Sequence, residues 1–400
     1  MNDSHDEIRA HDQARDQEHD QTAKRGSPLL RSSASGSATL TFRGGGWVIV
    51  LAGILVLLLL GWSLLGPMLG RHPIGDGKTV ASYGFDLSTN LLPTDGLRAS
   101  GFPRGFLPSR DDPTHLRGSE MLVFNERNRP KYVVTTDRVV GIEINGQAHA
   151  WPLTLLNVHE VVNDTVAGVP VAVTYSPLCD SVVVFDRRVA GVTRLFELSG
   201  LLFNSNLVFC DKSAEGVDPL LHQPSLFVQL ERRAIAGPLA TAGVTLEPLP
   251  NVVITTWADW LSTHPDTTVC ERDAGAVRRM KEISYARYFL TPKLEYPVAP
   301  LPDEASLTRD ELRLKSPVLA LRVSEGWKFL AFEQLIPPLG PDRSHRLTIE
   351  GVEYVLHLPS GPAVARLERV DGAPVTVIPC LWFAASALIA PREQTSLLKR

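Results

Sequence analysis

The chain has 400 residues, which exceeds one ordinary domain and allows a large buried core. Hydrophobic residues make up 44% of it, as in a folded protein, and the formal net charge is −4. A chain with this charge presents no general basic surface, which excludes nucleic acid as an expected partner.

The N-terminal part predicts a tail followed by a membrane anchor. Residues 1–43 are polar and cannot bury enough apolar surface to fold, so we predict a disordered cytoplasmic tail. Residues 44–70 carry no charge and are long enough to cross a bilayer core of about 30 Å. Trp47 and Trp62 lie near the ends of this run, where amphipathic rings favour the interface. The alternatives are a buried core helix or a cleaved signal peptide.

Charge on either side of this run predicts its orientation. Four basic residues and no acid occur between positions 21 and 43, whereas few charges follow the run closely. The positive-inside rule then places the N-terminus in the cytoplasm. We predict a single-pass protein of the bacterial inner (cytoplasmic) membrane, with its C-terminal part in the periplasm or outside the cell.

The remaining chain predicts a mainly β fold of the β-rich α+β class, preceded by a linker with a partly ordered lead-in at 71–120. Short β-branched and aromatic runs alternate with turn signals. Residues 138–156 align without gaps on 317–335, which suggests two related strand-turn-strand-helix halves; chance similarity of two hairpins is the alternative. We assign the first half, with the candidate site, to 121–270, a connection to 271–309 and a simpler second half to 310–395.

One dense block between positions 147 and 211 combines apolar runs with residues capable of chemistry. His159 and Asn163 are four residues apart and share a face on a helix or on a strand, whereas Glu160 and Asp164 would share the other face of a strand. An imidazole beside an amide suits a general base held in one tautomer, or a metal ligand with a supporting partner. Alternatively, both side chains satisfy buried backbone groups.

A second motif of this block, SPLCDS, places Cys179 on a tight turn. Ser176 before proline should be extended, and Asp180 can cap the loop. Cys179 is a nucleophile or a soft metal ligand if its pKa is lowered, and otherwise an inert thiol or half of a disulfide. The chain has four cysteines, which are Cys179, Cys210, Cys270 and Cys380. Four cysteines can form two disulfides in three different ways, and the sequence does not choose among them.

Polar residues also interrupt the apolar run near position 205. Asn204 and Asn206 flank Ser205 and either line a pocket or serve as turn residues. Together with the motifs above they complete a tentative ligand-binding set: Glu160, Asp164, Ser176, Asp180, Asn204 and Asn206.

Several motifs resemble those of a bacterial exported family, the domain-of-unknown-function family 3179, over roughly residues 115–395. They are HEVVND, TYSPLCDS, FELSGLLFNSNLVFCDK, AIAGPLA and TTWADWLSTHPDT. The resemblance implies an exported, often membrane-anchored domain without an assigned reaction. The family commonly places cysteine where Ser176 stands, and this departure argues against a two-thiol redox role.

Three hypotheses follow, in this order. The first is a domain that binds a metal ion, such as copper or zinc, or a small ligand, with His159 and Cys179 as core ligands and Glu160 or Asp164 assisting. The second is an enzyme with Cys179 as nucleophile, His159 as base and Asn163 orienting the imidazole. The third is a non-catalytic module that binds an unknown envelope protein.

Overall fold

The computed structural model describes residues 46–68, 74–212, 222–283, 285–304, 307, 312–332, 344–358, 365–390 and 395–397. The chain divides into two compact units, Met1–His72 and Pro73–Arg400. The predicted tail, 1–43, lies outside the described residues.

The first unit contains one described helix, α1 (Gly46–Met68), which is 23 residues long. It forms where the sequence is a Leu-rich run without charge, and its apolar side chains from Trp47 to Trp62 are largely exposed. In the part of the chain that the structure describes, no helix combines the length and the apolar character needed to cross a membrane. The predicted transmembrane helix over 44–70 is therefore not supported.

The second unit is β-rich, as predicted, and its described strands form six sheets. Its helices are short: α2 (Met121–Arg127), α3 (Leu153–His159), α4 (Pro238–Thr241), α5 (Trp257–Thr263), α6 (Ala274–Glu282), α7 (Ala286–Phe289) and α8 (Trp382–Ala384), the last continuing as a π-helix over Ala385–Ile389. The strands are β1 (Leu97–Ala99), β2 (Arg110–Asp111), β3 (His115–Arg117), β4 (Arg138–Ile144), β5 (Gln147–Pro152), β6 (Val161–Val166), β7 (Val169–Ser176), β8 (Ser181–Asp186), β9 (Arg188–Val189), β10 (Val192–Thr193), β11 (Phe196–Phe203), β12 (Asn206–Asp211), β13 (Leu226–Val228), β14 (Arg233–Ala236), β15 (Val253–Thr256), β16 (Thr268–Cys270), β17 (Pro317–Val323), β18 (Gly326–Ala331), β19 (Ser344–Ile349), β20 (Val352–His357), β21 (Arg366–Arg369), β22 (Val377–Leu381) and β23 (Thr395–Leu397).

A four-stranded sheet of order β2-β6-β7-β8 is buried on both faces. Successive residues of β6 and β7 enter different hydrophobic clusters: Val161 and Ala172 pack in one, and Val162 and Val173 pack in the other. The first cluster includes the sheet of order β1-β11-β12-β13-β14, and the second includes residues of β4 and β5. Burial on both sides explains why β7 and β8 read as continuous apolar runs.

Two other sheets share one arrangement. Their strand orders are β15-β4-β5-β16-β3 and β22-β17-β18-β23, and in both the central hairpin is antiparallel and the strand beyond it runs parallel. Pairing in the first hairpin runs from Val139 with Pro152 to Ile144 with Gln147, and in the second from Val318 with Ala331 to Val323 with Gly326. This equal register agrees with the predicted repeat. Common origin of the two halves stays a prediction.

The segment predicted as a linker, 71–120, contributes strands to three sheets. Strand β1 pairs with β11, β2 with β6 and β3 with β16. These strands have two or three residues each, too few to show a hydrophobic period, so sequence patterning does not reveal them. All four cysteines are free and buried, so the disulfide alternatives are not realised.

Close packing in the first hairpin predicts a sensitive glycine. A Cβ atom on Gly141 would lie 2.5 Å from the ring of Trp260. We expect Gly141→Ala to lower the free energy of unfolding of the second unit by about 1–3 kcal/mol, because the Trp260 ring or the strand that carries residue 141 must move. Chemical denaturation measures the change. Gly53→Ala, where no atom lies within 4 Å, is the control; equal stabilities of both variants would contradict the packing argument.

Candidate functional site

The second unit contains a cavity of about 640 Å³, bounded by the loop before β2, the turn after β7, strands β11 and β12, and the segment around α7. Two of the candidate site residues predicted from the sequence, Glu160 and Ser176, line it. Most of the wall is apolar or aromatic. Other side chains that line the cavity are Phe102, Phe106, Leu178, Leu198, Leu202, Leu207, Ile283, Tyr285, Arg287, Tyr288, Lys293, Glu295 and Tyr296.

Glu160 enters this wall through an unusual backbone conformation. It caps α3 in the left-handed region with φ 56°, where its N–H donates to the Leu156 carbonyl oxygen and its own carbonyl accepts from the N–H of Tyr175. A non-glycine residue pays for this conformation, commonly about 1 kcal/mol or more. The turn separates α3 from β6, so His159 and Glu160 do not continue the alternation of the strand.

The Glu160 carboxyl is buried and has one described hydrogen-bond partner, the Tyr285 hydroxyl, at 3.4 Å from Oε1. Burial raises its pKa to about 8, and the bond from Tyr285 only partly offsets this. The group is therefore mostly protonated at neutral pH. A neutral carboxyl donates one hydrogen bond and accepts others, which a carboxylate cannot do.

Tyrosine hydroxyls are further polar groups of the cavity wall. Tyr288 donates to the Leu178 carbonyl oxygen at 3.0 Å, and Tyr296 donates to that of Ser100 at 2.8 Å. Burial raises the pKa values of these tyrosines, so they stay neutral hydrogen-bonding groups. These two hydrogen bonds hold the segment around α7 against the rest of the second unit, because the two acceptor carbonyls belong to other walls of the cavity.

An aromatic pair lies at the exposed side of the cavity. The rings of Phe102 and Phe106 stack with centroids 4.2 Å apart, and each residue is about half exposed, 49% and 50%. Beside them the wall carries exposed charges on Arg287, Lys293 and Glu295. Two large exposed rings next to an apolar cavity provide a surface that an apolar ligand would cover.

His159 is used structurally on both ring nitrogens. Nδ1 lies 2.7 Å from the Pro108 carbonyl oxygen, which can only accept, so Nδ1 carries the proton. Nε2 then accepts from Arg279 Nη2 at 3.3 Å, and Asp273 Oδ2 lies at the same distance. Burial lowers the pKa of this imidazole and keeps it neutral. Both ring nitrogens therefore have partners among the described residues.

Cys179 is buried in the short 3-10 turn Pro177–Cys179, where its Sγ donates to the Ser205 carbonyl oxygen at 3.4 Å. Burial raises its thiol pKa to about 12, so the thiol carries its proton at neutral pH when no metal is bound. The described contacts of Cys179 and His159 do not join the two residues. Binding of copper or zinc by this pair stays a prediction, and their surroundings favour structural roles.

Asn163 also has a structural role in the contacts that the structure describes. Its amide donates to Asp111 Oδ1 at 2.6 Å and to the Phe196 carbonyl oxygen at 2.8 Å, and it accepts from the Phe196 N–H at 2.9 Å. The side chain thus ties β6 to β2 and β11. It does not orient the His159 imidazole, whose partners are different groups.

Asp164 points to the other side of β6. Its Oδ1 accepts from the Thr165 N–H at 2.7 Å and lies 2.8 Å from His115 Nε2, and its Oδ2 accepts from Trp151 Nε1 at 2.8 Å. Burial acts to raise the pKa of this carboxyl, but the hydrogen bonds and nearby histidines outweigh it and the pKa is lowered. With His115 and His149, Asp164 forms a group whose ligand atoms all lie within 4.8 Å and which could hold a metal ion.

The remaining predicted residues hold turns and strands. Asp180 receives two hydrogen bonds from Arg138 and one from the Tyr175 hydroxyl. Ser176 Oγ accepts from the Leu207 N–H at 3.2 Å beside the cavity.

The two predicted asparagines, Asn204 and Asn206, also form hydrogen bonds to distant residues. Asn204 donates to the carbonyl oxygen of Ala299 and accepts from its N–H. Asn206 bonds Gln229 and the N–H of Leu230. Each asparagine therefore links the β11–β12 hairpin to a distant segment.

Sequence reasoning missed several residues of the site. Phe102, Phe106 and His115 lie in the predicted linker, and Tyr285 lies in the predicted connection. The run YARYF, with two tyrosines and a phenylalanine in five residues, is the signal that could have identified the last wall.

Fold and site define a β-rich protein with a cavity of about 640 Å³ and, outside the lining of that cavity, a His-Asp group. Residues 117–348, more than half of the chain, match the family described as Protein of unknown function (DUF3179), and the chain belongs to that family. This confirms the family resemblance seen in the sequence. No curated protein and no solved structure matches the chain.

The state of Glu160 predicts a pH-dependent stability. Between its ordinary pKa of 4.5 and the folded value of about 8, the native state keeps a proton that the unfolded chain has released. The free energy of unfolding should therefore fall as pH rises through this window, by at most about 1.4 kcal/mol per pH unit. Glu160→Gln removes this contribution.

We expect the stability difference, wild type minus Glu160→Gln, to decrease from pH 4.5 to about 8 and then level off. Urea denaturation across this range measures it. Glu120→Gln, at an exposed acid, should show no such trend relative to wild type. A difference for Glu160→Gln that stays constant with pH would refute the buried neutral carboxyl.

Proposed function

We propose that this protein binds a small, mainly apolar organic molecule with a carboxylate or carbonyl end in the cavity beside Glu160. The observation that carries the proposal is the cavity itself, about 640 Å³ with a mostly apolar wall and one buried carboxyl. Small-molecule sites typically have roughly 300–1,000 Å³ and few convergent polar groups in an apolar wall. The same features describe this cavity.

The chemistry of the wall defines the two ends of the ligand. Leu198, Leu202 and Leu207 present aliphatic surface, and Phe102 with Phe106 extends it toward solvent. An apolar body gains about 25 cal/mol for each Å² removed from water against such surface. The protonated Glu160 carboxyl offers a donor for an oxygen acceptor on the ligand.

The charged side chains on the exposed wall of the cavity also favour a ligand with a carboxylate end. Two cations, Arg287 and Lys293, and one anion, Glu295, line the cavity. A carboxylate-bearing molecule meets a local excess of positive charge at this wall. Inside the cavity the ligand contacts the neutral Glu160 carboxyl. This carboxyl repels an anion only after it has lost its own proton.

Binding of 4-fluorobenzoate, followed by ¹⁹F NMR of the full chain, tests the proposal. Leu202→Trp fills the cavity and should abolish saturable binding, and Ile283→Trp should do the same from a different wall. Leu91→Trp places the same indole on an exposed position outside the cavity and should bind like the wild type. Equal binding by all four proteins, or no saturable binding by the wild type at millimolar probe, would exclude the cavity as a site for such molecules.

The role of Glu160 has a separate readout. Between pH 7 and 9 the protonated fraction of a group with pKa about 8 falls about tenfold, and wild-type affinity for the anionic probe should fall with it. Glu160→Gln keeps a donor at every pH, so its affinity should stay level over this range. Parallel pH profiles of the two proteins would assign recognition to another group.

We also propose, from the sequence of residues 44–70 and the charges before it, that the chain is attached to a membrane with the second unit on the outer side. Support comes from the absence of charge over residues 44–70 and from the four basic residues between positions 21 and 43. Attachment predicts that the full chain resists alkaline extraction from membranes, and the orientation predicts that added protease cleaves the second unit in spheroplasts. Recovery in the soluble fraction would refute attachment.

A further inference from the structure

We propose a metal site outside the cavity, in which His115, His149 and Asp164 bind a divalent transition-metal ion of the zinc type. The three residues lie on β3, β5 and β6, so two facing sheets contribute to the site. Asp164 Oδ1 is 2.8 Å from His115 Nε2, and Asp164 Oδ2 is 3.5 Å from His149 Nε2. The two imidazole centroids are 4.1 Å apart.

These separations suit one shared ion. All three ligand atoms lie within 4.8 Å of one another. Ligands about 2.0–2.2 Å from a tetrahedral zinc ion are roughly 3.4 Å apart, so the set needs only small side-chain adjustments. The shortest pair, His115 with Asp164, would open slightly as the ion replaces the proton between them.

The strongest single observation is the state of His149. This side chain is 1% exposed, and within the described parts of the chain its Nε2 has no hydrogen-bond partner although it faces Asp164 Oδ2. Its other nitrogen, Nδ1, is 2.6 Å from Thr268 Oγ1. A buried imidazole nitrogen that faces a carboxylate without a hydrogen bond leaves a position for a cation between the two groups.

Neighbouring groups hold the ligands in place as in established metal sites. Trp151 Nε1 and the Thr165 N–H each donate to one carboxylate oxygen of Asp164, and Thr268 orients His149. Such supporting hydrogen bonds fix the ligand geometry and keep the carboxylate ionised. The group therefore differs from an acidic surface cluster, because its central carboxylate is buried and already positioned.

The donor set also defines the kind of ion. Two imidazole nitrogens and one carboxylate oxygen suit zinc and its neighbours better than calcium or magnesium, which prefer oxygen ligands. The side chain of His115 is 28% exposed, whereas those of His149 and Asp164 are buried. Solvent therefore reaches the site from the His115 side, where a remaining coordination position would open.

Titration of the purified, metal-free full chain with Zn²⁺, and with Co²⁺ as a spectroscopic probe, tests this inference. The wild type should bind one ion at this site and show the visible absorption of Co²⁺ with nitrogen and oxygen ligands. His115→Gln and Asp164→Asn should each weaken binding at least about tenfold and remove that absorption, since even supporting residues commonly contribute this much. His115→Gln decides the case if Asp164→Asn does not fold.

His222→Gln is the matched control. His222 also faces a buried aspartate, Asp211, at 3.7 Å, but Arg194 already neutralises that carboxylate. This variant should keep wild-type affinity, and all variants retain the three histidines of residues 1–43. Unchanged zinc affinity in His115→Gln and Asp164→Asn, or a wild type that takes up no ion, would overturn the site. Neither result bears on the cavity, whose residues are not substituted.

Discussion

Burial of the β2-β6-β7-β8 sheet on both faces is the constraint on which the rest of the structure depends. A strand with core on each side cannot leave a polar group unpaired without a cost of about 1–3 kcal/mol. Asn163 on one face is therefore fully used by Asp111 and Phe196, and Asp164 on the other is held by Trp151, Thr165 and His115. Each of these two buried polar residues of β6 therefore connects the sheet to a different neighbour.

Glu160, which immediately precedes β6, does not follow this pattern. Asp180 and Asn204 also have positive φ, but their side chains are paired at short distance with Arg138 and with Ala299. Glu160 combines a positive φ with a buried carboxyl whose one described bond is long, 3.4 Å. Backbone strain and burial of an acid both oppose folding, and the one described hydrogen bond of the side chain is too long to offset the burial of the acid fully. Such costs are tolerated where a residue faces a ligand.

The sequence allowed the local elements to be predicted well. Strand-like runs in 138–211 are strands, and the Asn145-Gly146 turn, with φ values of 51° and 75°, gives the hairpin that the NG signal indicates. The block around Glu160 and Ser176 does line the cavity. What could not be predicted is long-range: Tyr285 reaches Glu160 across 125 positions, and His115 reaches Asp164 across 49. No periodicity encodes such contacts.

Local conformation was the other obstacle. If Glu160 belonged to the strand, it would share a face with Asp164, and His159 would share one with Asn163. Helix α3 instead ends at His159, and the left-handed residue after it resets the alternation. A single backbone angle thus decides which side chains meet. That angle follows from the helix end and its packing, which the polar sequence HEVVND does not reveal.

The two acids near the start of β6 show how position determines chemistry. Glu160 lies in an apolar wall with one weak donor, and its pKa is raised to about 8. Asp164, four residues later, receives hydrogen bonds from Trp151 and Thr165 and faces two histidines, and its pKa is lowered. One carboxyl is therefore a neutral hydrogen-bond donor, and the other is a fixed anion. Groups whose environments separate their pKa values in this way are suited to different tasks. A neutral acid favours an oxygen of an organic molecule, whereas an oriented carboxylate with two imidazoles favours a cation.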